Sequence, residues 1–144
     1  MQNDETDLKL IALLSENARL PVADLSRRLG IARTTVQARI DRLLDRGAIA
    51  GFTLRKGPGL RAPVRATALL SIEPRAAAAV VARLKTLPQV ETVHTTSGRF
   101  DLIVTLGADT TEDLDERLDD IRDAQGVKSS ESLIHLSTKI DRAG

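Results

Sequence analysis

Residues 22–44 read VADLSRRLGIARTTVQARIDRLL, and this stretch decides the fold of the first part of the chain. Leu25 and Leu29 lie four residues apart and predict the apolar face of a short helix, which Gly30 ends. A longer helix is predicted over residues 32–46 from apolar positions at spacing i, i+4, i+7 and i+8: Val36, Ile40, Leu43 and Leu44. Two helices joined by a tight turn that contains glycine are typical of a helix-turn-helix.

The residues on either side of this stretch complete a small helical unit. Upstream, apolar spacing predicts a helix over Asp7–Glu16, and Pro21 fits the first turn of the helix that follows. Downstream, Gly47 ends the long helix and Ala48–Arg55 has strand character, so the unit is predicted to be winged-helix-like.

The 144-residue chain has room for two small domains, and its composition changes once along its length. We predict a helix-turn-helix domain over residues 1–54, a linker rich in glycine and proline over 55–63, and a second domain over 64–144. The fold class is therefore α+β.

One side of the long helix carries side chains that suit contact with a DNA duplex. We expect four of them to face base edges: Thr34, Thr35, Gln37 and Ala38. We expect three basic side chains of this helix to contact mainly phosphates: Arg33, Arg39 and Arg42. Arg27 and Arg28 on the preceding helix are weaker candidates for phosphate contact. An ordinary three-helix bundle with a solvated charged face shows the same pattern, and Arg39 has an alternative role as an internal partner of Asp41 or Asp45.

Charge and aromatic content narrow the kind of nucleic acid. Residues 1–65 hold 12 basic against 7 acidic side chains, whereas residues 66–144 hold 9 against 13, so only the first part favours a polyanion. The chain has no Trp, no Tyr and only two Phe, which leaves almost no platform on which single-stranded bases stack. Duplex DNA is the expected partner.

From residue 64 the period changes and predicts a second, mixed domain. The predicted elements are strand 64–73, a helix that Pro74 opens, strand 89–97, strand 100–106, helix 110–125 and strand 127–140. Gly98 and Arg99 are the predicted two-residue turn of a hairpin, and Thr110 with Asp113 has capping-box spacing. The order βαββαβ is the ferredoxin-like arrangement. Two helices cover only one face of a four-stranded sheet, so we expect a second copy of the chain to cover the other.

These residues, in this order, resemble the Lrp/AsnC family of leucine-responsive regulators. The resemblance rests on DLKLIALL at 7–14, LSRRLGI at 25–31, TVQARIDRL at 35–43, GAIAGF at 47–52 and the turn GRFD at 98–101. It implies a sequence-specific regulator of amino-acid-related genes that assembles as a dimer, or further as an octamer, on operator DNA. The family usually has Ser where this chain has Ala32, which removes a helix-capping hydroxyl that is typically worth about 1 kcal/mol.

The resemblance also implies an amino acid or related effector bound in the second domain between subunits. The candidate site is the hairpin turn and its flanks: Thr96, Ser97, Gly98, Arg99, Phe100 and Asp101. Arg99 and Asp101 supply charges opposite to the carboxylate and ammonium of an amino acid, and residues 129–131 add polar groups. Alternatively, Gly98 serves only the turn, and the two charged side chains pair with each other or with water.

Two alternative functions have to be distinguished from DNA-binding regulation. Decarboxylases that act on sirohaem resemble the same two-domain architecture and use histidines in the tail, where this chain has His94 and His135. A sensor whose helical head binds protein would lack salt-dependent DNA affinity. We expect neither catalytic residues, nor a metal site, nor a cofactor, because each histidine stands alone and the acidic run 112–123 fits a solvated helix face.

Targeting features are absent from the sequence. No apolar stretch approaches the roughly 18 residues of a membrane span, and Met1 is followed by polar residues instead of an apolar leader. The chain has no cysteine. A cytoplasmic location without a membrane partner is expected.

Overall fold

The computed structural model describes residues 4–142, and the chain divides into two compact units, Met1–Leu54 and Arg55–Gly144. The predicted domains include residues 1–3 and 143–144, and the expectation about a leader concerns Met1; these residues lie outside the described ones. Residues 55–63, predicted as a linker, are grouped with the second unit, and the domain boundaries remain predictions.

The described part of the first unit, here called the head, contains three helices: α1 (Glu5–Glu16), α2 (Val22–Leu29) and α3 (Arg33–Asp45). α1 begins two residues before its predicted start because a side-chain oxygen of Asp4 accepts a 2.8 Å hydrogen bond from the backbone N–H of Asp7. Pro21 lies just before α2 instead of in its first turn. Gly30 ends α2 with φ +68°, which confirms the predicted glycine-containing turn.

Apolar side chains from all three helices form the core of the head. The buried members are Leu10, Leu14, Leu25, Val36 and Leu43. Each fully buried Leu or Val stabilises the fold by about 1.5–3 kcal/mol relative to exposure. Because Val36 and Leu43 are on the inner side of α3, the opposite side of this helix faces solvent.

The strand predicted over Ala48–Arg55 does not form. A strand needs the backbone groups of a neighbouring strand, and the described part of the head offers only helices. Phe52 and Leu54 are exposed in this segment, at 52% and 70%. The described head is therefore a helix-turn-helix without a strand.

The second unit, here called the tail, has the predicted βαββαβ order. Its elements are β1 (Val64–Ile72), α4 (Ala77–Leu84), β2 (Val90–Thr95), β3 (Leu102–Ala108), α5 (Thr111–Arg122) and β4 (Val127–Ile134). The strands form one sheet in the order β2-β3-β1-β4, and every neighbouring pair is antiparallel. This topology is the expected ferredoxin-like sheet.

Helix boundaries in the tail follow from local backbone geometry. α4 begins three residues after Pro74, because Arg75 has φ +65° and the backbone N–H of Ala76 bonds to the carbonyl of Glu73 in a turn. α5 begins as its capping signal predicts, with Thr110 Oγ1 accepting a 3.0 Å hydrogen bond from the N–H of Asp113.

Strand boundaries in the tail follow from the available partners. β4 ends at Ile134, six residues before its predicted end, because β1 starts at Val64 and Ala66 already pairs with Ile134. The hairpin pairing of β2 and β3 ends at Thr95 and Leu102, so the connection is longer than the predicted two residues.

One face of the sheet is covered by the helices. Its core includes Ala66, Ala68, Leu70, Val80, Leu84, Leu102, Val104, Leu106, Leu114 and Ile121. Gly126 completes this packing with φ +99°, and a Cβ atom added to it would lie 2.8 Å from the Cβ of Ala76. The side chains of β1 and β3 that alternate with the core residues form the other face, which no described helix covers: Arg65, Thr67, Leu69, Ser71, Ile103 and Thr105. We call it the open face.

Candidate nucleic-acid interface and tail loop

The outer side of α3 presents most of the predicted DNA contacts together. All but one of the predicted residues on this helix are exposed: Arg33, Thr34, Thr35, Gln37, Ala38 and Arg42. Val36 and Leu43 on the opposite side of the helix are fully buried. Ala32 precedes the helix and makes no side-chain capping bond, as the missing hydroxyl predicts.

Gln37 has a partner that the sequence reading did not assign. Its Nε2 atom donates a 2.9 Å hydrogen bond to Oδ1 of Asp41, one turn along the same exposed side. The i, i+4 spacing of an amide and a carboxylate was the signal for this pair. The bond uses one amide hydrogen and leaves the carbonyl oxygen of Gln37 for another donor.

Arg39 differs from its neighbours because its side chain is only 22% exposed. Its Nη1 atom lies 2.8 Å from Oδ2 of Asp4 and 2.9 Å from Oδ1 of Asp7, both at the start of α1. The predicted internal partners Asp41 and Asp45 are therefore wrong, although an internal role exists. The hydrogen bond from Arg39 lowers the pKa of Asp4, and the same bonds raise the pKa of Arg39.

Asp7 is the centre of this cluster. Among the described residues it is the one charged or polar residue that is buried, at 2% exposure. Besides Arg39, its carboxylate meets Nη2 of Arg46 at 3.6 Å and Nη2 of Arg42 at 4.0 Å. This role of Asp7 was not predicted from the sequence. The available signal was spacing, since Asp7, Leu10 and Leu14 share one face of α1 at i, i+3 and i+7.

The two arginines on α2 are exposed. Arg27 pairs with Asp24 on its own helix at 2.9 Å, and Arg28 also faces solvent. An exposed pair of this kind contributes little stability, so Arg27 can leave Asp24 for a phosphate at small cost.

In the tail, residues 96–101 form one loop whose ends are bonded together. The backbone N–H of Thr96 donates to the carbonyl of Asp101 at 3.0 Å, and Oγ1 of Thr96 donates to the carbonyl of Phe100 at 2.8 Å. The structure thus groups all six predicted effector residues in one loop: Thr96, Ser97, Gly98, Arg99, Phe100 and Asp101.

The two charges of this loop do not pair with each other. Asp101 is tied to β1, because its Oδ2 accepts a 2.9 Å bond from the N–H of Ile72 and its own N–H donates to the carbonyl of Leu70 at 2.8 Å. Arg99 is 81% exposed and its Nη2 lies 3.9 Å from Oε2 of Glu131. Arg99 also lies over the ring of Phe100, 4.9 Å from the centroid.

The two histidines lie at opposite edges of the sheet. His94 is on β2, and His135 follows β4, where its Nε2 is 2.8 Å from Oγ1 of Thr67. Three strand spacings separate these edges, roughly 14 Å, which is too far for a shared metal. Across residues 4–142 no group of three His, Asp or Glu side chains has metal-site geometry, and no described helix has the length and apolarity of a membrane span.

Comparison with known proteins covers both units. Residues 4–44 match the AsnC-type helix-turn-helix domain, and residues 65–144 match the Lrp/AsnC ligand binding domain. The HTH-type transcriptional regulator LysM of Sulfurisphaera tokodaii is 31% identical over 134 residues, 92% of this chain and 94% of that protein. The HTH-type transcriptional regulator FL11 of Pyrococcus furiosus is 28% identical over 134 residues, 92% of this chain and 89% of that protein.

Solved structures share the fold at lower identity. Escherichia coli AsnC has a TM-score of 0.91 at 22% identity and covers 98% of this chain and 97% of its own. A Neisseria meningitidis transcriptional regulator solved as an L-Met complex has a TM-score of 0.89 at 22% identity, with 97% and 94% covered. These relatives are regulators and not decarboxylases, so the enzyme alternative is not favoured.

Proposed function

Because the chain belongs to the Lrp/AsnC family of transcriptional regulators, we propose that α3 reads operator DNA and that a small molecule bound to the tail modulates this binding. The chain is a DNA-binding regulator, and its tail is the family's ligand-binding domain. The proposal concerns which residues perform these tasks, which effector binds and how the chain assembles.

The exposed side of α3 is the observation that carries the DNA-binding part. Thr34, Gln37 and Ala38 offer a hydroxyl, an amide and a methyl group, which are the groups that distinguish base edges in the major groove. Arg33 and Arg42 are exposed next to them and supply phosphate contacts. Arg39 takes an internal role instead.

An amino acid or a related small molecule is the proposed effector. Its carboxylate would pair with Arg99, which is exposed in the tail loop, and its ammonium with the nearby carboxylate of Glu131 or Asp101. The Neisseria neighbour, whose structure contains L-Met, supports this chemical class.

Self-association through the open face is the proposed assembly, as a dimer or a larger multiple of it. Leu69 and Ile103 lie opposite each other there and lack a covering helix. An apolar strip flanked by Thr and charged side chains suits a symmetric pairing of two sheets. We also propose a cytoplasmic location, because DNA is the partner.

Selection of bound duplexes from a random-sequence pool tests the proposal with the full chain. We expect one recurrent motif, with affinity for that motif falling steeply as salt rises. Affinity equal for all duplexes would remove sequence-specific reading by α3. No salt-dependent DNA affinity would favour the protein-binding sensor.

A further inference from the structure

The carboxylate of Asp7 lies where a pattern of apolar residues would place a leucine. It shares the inward face of α1 with Leu10 and Leu14, both of which are in the core. Removing a carboxylate from water is costly unless basic partners compensate it. The head therefore retains a buried charge that packing alone does not require.

All the arginine partners of Asp7 come from the DNA-reading helix and its end. Arg39, Arg42 and Arg46 have spacing i, i+3 and i+7, so their side chains leave α3 along one stripe beside the apolar face. Arg39 is held most closely, at 2.9 Å, and Arg42 most loosely, at 4.0 Å.

We propose that Asp7 is a positioning residue for DNA recognition, which fixes the rotation of α3 against α1 and determines which arginines remain for DNA. Arg39 is held inside the head, whereas the side chain of Arg42 stays 54% exposed and within reach of a phosphate. Asp4 supports the arrangement by joining the start of α1 to Arg39. The inference rests on DNA binding by α3 and adds a residue that does not touch DNA.

The substitution Asp7→Asn tests this role, because it keeps the shape and removes the charge. The full chain is titrated with two duplexes of equal length, one carrying the sequence selected by the wild type and one scrambled. A misplaced α3 loses base contacts but keeps its basic charge, so we expect the specific-to-scrambled affinity ratio to fall by about tenfold or more. Affinity for the scrambled duplex should stay equal or rise, since one negative charge near the phosphates is gone.

Glu5→Gln is the matched control, because it removes the same charge from α1, where Glu5 contacts only the exposed Lys9 at 3.0 Å. Its affinity ratio should equal that of the wild type. Asp4→Asn is the second variant, since Asn also caps helices well and only the ion pair with Arg39 is lost. We expect a smaller fall in the ratio there.

Two results would overturn the proposal. One is that both affinities of Asp7→Asn and of Asp4→Asn equal those of the wild type. The other is an equal loss of both affinities in Asp7→Asn together with a wild-type ratio in Asp4→Asn, which would show a purely structural role. Failure of the wild type to prefer its selected duplex would instead contradict DNA reading by α3.

Discussion

Gln37 and Asp41 lie one helical turn apart on α3, and Nε2 of Gln37 donates a 2.9 Å hydrogen bond to Oδ1 of Asp41. The bond directs the amide nitrogen along the helix and leaves the carbonyl oxygen as the free acceptor. A Gln side chain commonly pairs with adenine, whose N6 group is a donor. If Gln37 reads a base, as proposed, Asp41 influences which base edge it can read.

Replacing Gln37 with Ala should alter sequence preference at a single base-pair position by about 1–3 kcal/mol. Asp41→Ala should weaken the preference at the same position and at no other, because it frees the amide to rotate. Affinities for a set of duplexes that differ by one base pair measure both effects. A uniform change across all positions would contradict base reading by Gln37.

Replacing Arg42 with Ala should weaken every duplex alike and reduce the slope of log affinity against log salt by about 1. The reason is the loss of one phosphate contact and its released counterion. Arg122→Ala is the control, because Arg122 has similar exposure on α5 of the tail. An equal effect of the two substitutions would point to net charge instead of a specific contact.

The head should lose the stabilisation by the Asp4–Arg39 pair in acid. Because the hydrogen bond from Arg39 lowers the pKa of Asp4 in the folded state below the ordinary 3.8, the unfolded state binds more protons near that pH. The stabilisation is complete above the unfolded value of about 4 and is lost as pH falls through the folded value. The melting temperature of the wild type should therefore fall more between pH 6 and pH 3 than that of Asp4→Asn. Identical pH profiles would show that the pair contributes nothing.

Replacing Leu69 with Lys should shift the chain toward monomer. The new ammonium lies on the open face opposite Glu131, so the fold of one copy is not penalised while the apolar contact between copies is lost. Sedimentation velocity at micromolar concentration checks the change. Leu60→Lys is the control, because Leu60 is an exposed leucine outside the strands. A monomeric wild type would remove the proposed assembly.

An amino acid that binds the tail loop should raise the melting temperature of the wild type but not that of Arg99→Ala. Binding to the folded state alone stabilises by about 2.7 kcal/mol at a hundredfold excess over Kd. Asp101→Asn is the companion variant, since its amide oxygen can still accept the bond from Ile72. Lys85→Ala, exposed beside α4, is the control. No response in the wild type, or a response undiminished in Arg99→Ala, would remove this site.

Periodicity predicted the order of the elements, because repeated local preferences decide it. Val36, Ile40 and Leu43 identify α3 without knowledge of any other part of the chain, and the alternation from Val64 to Ile72 identifies β1 in the same way. The exposed position of most candidate DNA contacts follows directly from the first of these patterns.

Features that depend on distant partners were not predictable in this way. Asp7 has its main partner 32 residues away, and a local reading of its charge indicates only a helix start. Ala48–Arg55 has strand composition but no paired strand. Asp101 bonds to β1, 29 residues earlier at Ile72, and this lengthens the loop beyond the predicted turn.

Gly126 occupies a position at which other residues are disfavoured. Any other residue there would meet two independent obstacles, the left-handed backbone, which costs roughly 1–2 kcal/mol, and the methyl group of Ala76 on the neighbouring segment. Neither obstacle is relieved by a change elsewhere in the α5–β4 turn, since one is intrinsic to the backbone and the other belongs to the start of α4. In a library of single substitutions we expect no other residue at position 126 to give a stable fold. Gln125 beside it has an exposed side chain, so we expect many residues to be accepted there.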